Sequence, residues 1–321
     1  MSQRNVLRWR ERGSPRESGR VTPAGILIRT PTPFERKPMA LASADRAAQT
    51  RLRWHLVSQL VRKDLKVKYQ GSSLGFVWSL ANPLLLLVIY TFVFQYVFKT
   101  AVPLFGFFLM SGLLIWSFFS MGVMGASTAI IGNAGLVKKV PFPHIALPLA
   151  SVGFAAVQVA LQYAVLIAAL VVSGHAPLRP ELLLLVPALV VAVTMTIGLA
   201  LLVAALTVRY RDTQHILEVS MFAWMWLTPV IYPASLVHEM LGSSWLQYLY
   251  YLNPMASVVS AFQRALYGTV YYPGTDRLLL ASDSTWYYLA TLGIGFVVAA
   301  AVFLLGARQF RRQSADFAED L

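Results

Sequence analysis

The chain has 321 residues, of which 57% are hydrophobic and 13% charged, with 27 Lys and Arg against 14 Asp and Glu. A charged share near half of the roughly 25% usual in soluble domains points to a membrane protein. The absence of cysteine excludes disulfides and thiolate metal sites, and the five histidines never stand three or four residues apart, so no helical metal pair is signalled.

Residues 1–45 hold nine Arg and Lys before Arg46 (Arg4 to Lys37) and five prolines, with almost no apolar periodicity. This predicts a disordered basic tail. The stretch also lacks the apolar core and cleavage site of a signal peptide, so insertion is expected to be directed by an internal span. Residues 50–70 predict an amphipathic helix. His55, Gln59, Arg62 and Lys66 form its polar spine, and Trp54, Leu56, Val57, Leu60, Val61 and Leu65 cover the opposite arc, into which Arg53, Asp64 and Lys68 intrude. Such a helix lies in a membrane interface, where each basic side chain near an anionic leaflet contributes about 1 kcal/mol. Two roles fit it: a positive-inside anchor, or a surface that also meets a cytoplasmic partner. Gly71 and Gly75 supply a bend into the next segment, and Pro83 sits where a kink or an N-terminal half-turn fits.

A bilayer core of about 30 Å needs about 20 apolar residues in helical form. Six segments qualify: 76–98, 104–131, 145–173, 180–206, 214–233 and 285–307. Between the last two, residues 234–284 are aromatic and broken by Gly and Pro, too interrupted to span and too apolar for a free loop. Short re-entrant helices fit them. The expected fold is thus all-α: an integral membrane protein of six transmembrane helices, preceded by the interface helix, with re-entrant helices before the last span. Of the 27 Lys and Arg, 23 fall in residues 1–75, the 132–144 and 207–213 loops and the tail after 307, while Lys99, Arg179, Arg264 and Arg277 lie on the other side. The positive-inside rule places both termini and the 308–321 tail in the cytoplasm. Charge sorted by alternate loops also speaks against nucleic acid as a partner.

Ionisable groups within the spans reduce mainly to Glu218, which disfavours a proton relay. No Gly-Lys pair occurs, so this chain carries no P-loop. A pump built on it needs its energy from a separate subunit. "NAGLVKKVPFPHIALPLASV" (133–152) then draws attention, because Pro141, Pro143 and Pro148 bound a stiff element bearing Lys138, Lys139 and an exposed aromatic, Phe142. A rigid knob for a partner's groove and a plain proline-capped turn both satisfy this pattern.

"RKDLKVKYQGSSLGFVWSLANPLL", "LVKKVPFPHIALPLA", "RYRDTQHIL", "TPVIYP" and "YLNPMASVVSAFQRALYG" occur in an order that resembles the permease subunits of polysaccharide-exporting ABC transporters, the Wzm/TagG-like group. The resemblance covers residues 50 to 315. It implies a homodimer in the bacterial inner membrane, paired with two ABC ATPase subunits that bind ATP and Mg2+, and no catalytic site or cofactor in this chain. It also implies a lipid-linked glycan substrate, usually on undecaprenyl diphosphate. By motif position, Arg62, Lys63 and Lys66 fall on the interface helix. Lys138, Lys139, Pro141, Phe142, Pro143 and His144 fall at the loop that couples to the ATPase, Pro141 and His144 replacing Tyr and Arg of the usual pattern. Asn253, Pro254 and Arg264 fall in the re-entrant region.

A glycan path needs surfaces for the apolar C–H faces of sugars. Tyr90 and Phe94 share a face at i, i+4, Trp116 and Phe119 at i, i+3, and Phe222, Trp224, Trp226 and Tyr232 crowd the fifth segment. These are the expected path residues, with Arg264 as a cation for a diphosphate or a helix end. Interfacial belts and helix packing use the same residue types. Gln158 and Gln162, at i, i+4 on the third segment, suit either a cross-helix hydrogen bond or a lumen. A permease for drugs or small lipids is the alternative within transport. A membrane glycosyltransferase would need carboxylates, and Glu239, Asp276 and Asp283 have no paired spacing.

Overall fold

In the computed structural model every regular element among the described residues is helical. These residues are 39–71, 77–99, 104–139, 142–174, 179–242, 245–268, 284–317 and 321. The chain divides into two units, Met1–Gln49 and Thr50–Leu321. Of the first unit the backbone of residues 39–49 is described, as the opening turns of α1 (Met39–Tyr69). The helix therefore begins inside the stretch expected to be a disordered tail. "MALASADRAAQ" is rich in alanine, the best helix former, and needs no apolar stripe to be helical. Residues 1–38 of the expected tail lie outside the described residues.

In the second unit α2 (Val77–Phe92) contains Pro83 and ends in one π-helical stretch, Val93–Val97. Then follow α3 (Phe105–Ala129), the short α4 (Ala134–Lys139) and α5 (Ala146–Val172). A 3-10 turn, Pro180–Leu184, leads into α6 (Leu185–Arg209). After α7 (Thr213–Trp226) come the three short helices α8 (Ala234–Leu241), α9 (Leu246–Tyr250) and α10 (Pro254–Leu266). The last helix is α11 (Thr285–Gln313).

Among the described residues four helices are long and apolar enough to cross a membrane: α3, α5, α6 with its leading turn, and α11. The first and fifth predicted spans are shorter helices. The apolar run of α2 covers Ala81–Val97. The 14 residues of α7 reach about 21 Å at 1.5 Å per residue. It stops there because Pro229 cannot donate to the helix and restricts the residue before it.

The apolar window of α3 is 72% buried, against 28% for α5 and for α11, so α3 is the post around which the others stand. It lies between α5 and α6, α11 runs along α6, and α10 fills the corner among α3, α6 and α11. Lipid is as apolar as leucine, so such helices associate through close packing rather than water release. The α6–α11 crossing shows how: a Cβ on Gly198 would stand 2.6 Å from the backbone of Phe303, and one on Gly306 would meet the Gly198 carbonyl.

α1 follows the first half of α5. Val57 packs on Ala146 and Ala150, and Val61 faces Gly153. At its end Lys68 Nζ donates to Gln158 Oε1 (2.8 Å), and Gln158 Nε2 donates to the Tyr69 hydroxyl (2.6 Å). The intrusion of Lys68 into the apolar arc thus has a partner, as does that of Asp64, 3.3 Å from Lys63. His55, Gln59, Arg62 and Lys66 are exposed, and so is Trp54 of the expected apolar arc, at 64%.

Candidate functional site

The ends of α3, α5, α6 and α11 gather around a small apolar cluster that includes Ile130, Val137, Leu147, Val208, Phe310 and Phe317. Arg209, Arg308, Arg311, Arg312, Lys138 and Lys139 are carried at or near these ends, which gives the bundle one basic end. α4 is pinned there by buried Val137, while Lys138 and Lys139 occupy its last turn and are exposed. Cations suit that position because the helix C-terminus carries partial negative charge.

Pro141 lies outside the described residues. Phe142, expected as an exposed aromatic, is half-buried against the cluster, since the chain turns back there to enter α5. Pro143 is half-buried as well, and its carbonyl accepts the Ala146 N–H. His144 is turned inward. Its Nδ1 lies 3.2 Å from the Ser314 carbonyl oxygen, which only accepts, so Nδ1 carries the proton. Its ring stands 5.4 Å from that of Phe142 and 6.0 Å from that of Phe317, which packs on Phe310 at 5.3 Å. Two cations therefore face outward from the loop and two rings face inward, gripped by the segment after α11.

On α1, Arg62, Lys63 and Lys66 are exposed. Lys63 Nζ reaches Asn133 Oδ1 at 3.5 Å, and Asn133 caps the end of α3 through the Ala129 carbonyl at 2.8 Å. The structure thereby joins Lys63 to the α3–α4 connection and leaves Arg62 and Lys66 outward. A cavity of about 440 Å³ lies between α1, the end of α3 and the start of α5, with Lys63, Asp64 and Asn133 in its polar wall and Met121, Met124 and Phe154 in its apolar one.

The aromatic residues separate into two groups. Trp116 and Phe119 are buried in edge-on contact at 5.3 Å, and Phe119 meets Trp224 at 5.2 Å. Phe222 and Trp226 are 65% and 53% exposed on α7. Tyr90 and Phe94 are half-buried, Phe94 lying 4.5 Å from Phe105. The Tyr232 hydroxyl donates to the Trp226 carbonyl at 3.0 Å, closing the turn after α7. Arg264 Nη2 lies 3.5 Å from Glu181 Oε1, tying α10 to the turn before α6.

Asn253 does more than its motif position suggests. Its Oδ1 accepts from the Trp224 indole N–H (2.9 Å) and from the Met255 backbone N–H (3.1 Å), and its Nδ2 donates to Thr228 Oγ1 (3.0 Å). One side chain caps α10 and clasps the end of α7. Buried Gln263 completes the joint, its Nε2 donating to the carbonyls of Pro229 (3.0 Å) and Val230 (3.3 Å). The cap was visible in sequence as Asn before a proline at the first helical position. The reach to Trp224, 29 residues away, had no local signal. Beside this joint, burial above all pushes the Tyr251 phenol well above its usual range, so its hydroxyl stays protonated.

Residues 55–267, from α1 to just past α10, match the ABC-2 type transporter family. The chain belongs to that family. The ABC-2 match takes in α4, the basic loop and the Asn253 joint, and ends before α11. Among similar curated proteins is the O-antigen export system permease protein RfbA of Myxococcus xanthus, 34% identical over 212 residues, or 66% of this chain and 80% of that one. Two proteins of the same name from Klebsiella pneumoniae are 31% and 29% identical over 211 and 208 residues, each over 65% of the ABC-2 chain and 78% of the relative.

Proposed function

We propose that this chain is the permease subunit of an ATP-driven exporter that carries lipid-linked polysaccharide from the cytoplasm across the inner membrane. The reading rests on one observation: two thirds of the chain is similar to permeases named for O-antigen export. In this reading two copies pair, each served by a separate ABC ATPase that holds ATP and Mg2+. α2 and α7 complete six spans, shortened or broken where they border the path. α8, α9 and α10 form the re-entrant region, and both termini are cytoplasmic with the basic end of the bundle.

The basic end is suited to transmit force. α4 presents Lys138 and Lys139 to the ATPase and is fixed by Val137, Phe142 and His144 to the ends of α3, α5, α6 and α11. A close-packed contact moves as a unit rather than yielding, so displacement of α4 tilts several spans together. Arg62, Lys63 and Lys66 of α1 extend the same positive face. For the path, the exposed Phe222 and Trp226, with Tyr90 and Phe94, face the second copy. Trp116, Phe119 and Trp224 hold the scaffold behind them, and Arg264 serves α10 through Glu181.

The test is reconstitution. With the partner ATPase, ATP and Mg2+, vesicles should move a polyprenyl-linked glycan outward, and the permease alone should move none. Uphill transport by the lone chain would overturn the reading.

A further inference from the structure

Where the end of α1 meets α2 and α5, a cavity of about 270 Å³ is lined by Lys68, Tyr69, Trp78, Asn82, Gln158 and Gln162. Every described lining residue is polar or aromatic. A second cavity, of about 370 Å³ beside α6 and α11, is walled by Pro187, Val190, Val191, Leu292, Phe296 and their neighbours, with no charged or amide side chain among its described lining residues. In a chain this apolar, a pocket that gathers three amides, a phenol, an indole and an ammonium group is suited to water or a polar ligand, with Lys68, Trp78 and Asn82 exposed on it. The two sides are built at matching spacing: Gln158 and Gln162 stand i, i+4 on α5, and Trp78 and Asn82 stand i, i+4 on α2.

We propose that this cavity is the binding subsite for the phosphate-linked sugar of an amphiphilic glycan carrier. The assignment rests on the export reading and deepens it. Lys68 supplies the only charge among the described lining residues. Its Nζ has three donors, of which one goes to Gln158, and the rest suit a phosphate oxygen. Gln158 is itself buried and held by Lys68 and Tyr69, so the ammonium group is placed rather than loose. The Trp78 indole, 55% exposed, offers a face for the C–H side of one sugar ring, and the amides of Asn82 and Gln162 offer both donors and acceptors to its hydroxyls. Size limits the ligand. At about 270 Å³ the cavity is small, and it opens past the exposed Lys68, Trp78 and Asn82, so it suits a phosphate and one ring with the rest of the ligand lying outside. The site therefore reads the linkage between carrier and glycan and leaves the rest of the glycan outside.

The test uses the full-length permease with its ATPase in nanodiscs of zwitterionic lipid. The probe is a polyprenyl diphosphate bearing one N-acetylhexosamine, with binding read by native mass spectrometry. Trp78→Leu, Asn82→Leu and Gln162→Leu, none of which removes the Lys68–Gln158–Tyr69 contacts, should each weaken the sugar-bearing probe about tenfold, the effect of losing one good polar or stacking contact. Lys68→Met should weaken probes with and without the sugar alike. Competition by free N-acetylhexosamine 1-phosphate supports the site and marks a soluble source for the same chemistry. Wild-type binding in all three leucine variants, or phosphatidylglycerol bound as tightly as the sugar-bearing probe, overturns the subsite. Export by the wild-type complex is measured in parallel. If it fails while the variants still differ in binding, the export reading falls and the subsite stands; if it succeeds while the variants bind normally, the reverse holds.

Discussion

The carbonyl of Gly198 on α6 occupies the place where a β-carbon of Gly306 on α11 would stand. Neither backbone can withdraw, because each is a regular helix packed along its length. Gly306→Leu should force the two helices apart and cost about 1–3 kcal/mol or more, the usual range for overpacking. Thermal unfolding in detergent checks it. A β-carbon on Gly293 of the same α11 meets nothing within 4 Å among the described residues, so Gly293→Ala should be neutral or stabilise by up to about 1 kcal/mol.

Asn253→Ala removes the α10 cap and leaves the Trp224 indole N–H without its acceptor. The expected loss is about 2 kcal/mol, from a cap plus a partly buried hydrogen bond. Asn253→Asp keeps both acceptor contacts and loses the donations to Thr228 and to the Leu227 carbonyl, so it should fall between wild type and alanine. Equal stability of the alanine and aspartate variants would argue against the joint.

Lys138→Glu with Lys139→Glu reverses two exposed charges on α4 without touching the cluster beneath. Co-purification of the ATPase should drop about tenfold at low salt, since rim charges act on association more than on folding. Insertion and yield of the permease should not change. An unaltered complex would remove α4 from the coupling surface.

Phe317→Ala empties a site that is 1% exposed, between His144 and Phe310. A large-to-small change of this kind costs about 3–5 kcal/mol in a core, here confined to the basic end. The spans should still insert, while glycan-stimulated ATP turnover should fall. Coupling at wild-type level would show that the tail does not position the loop.

Much of the architecture could be read from residues. Long apolar runs located the four full-length helices, and prolines located the basic loop. The pattern was less informative where a helix stops inside an apolar stretch. Residues 214–233 read as one span because Pro229 sits among apolar neighbours, yet α7 ends at Trp226. It was silent on partners distant in sequence. Phe142 looked exposed because nothing near it announces Phe317, and Trp224 looked like a path residue because nothing near it announces Asn253. Composition could suggest an aromatic surface, but only burial separates Phe222 from Phe119.

The corner after α7 carries a mechanical consequence. Its open carbonyls at Pro229 and Val230 are answered by Gln263, and its last turn is clasped by Asn253, both from α10. A bend that is bolted from outside cannot serve as a pivot. Any swing of α7 during a turnover must drag α10 along as one lever, so the give has to come from the connections at the far edges of that pair.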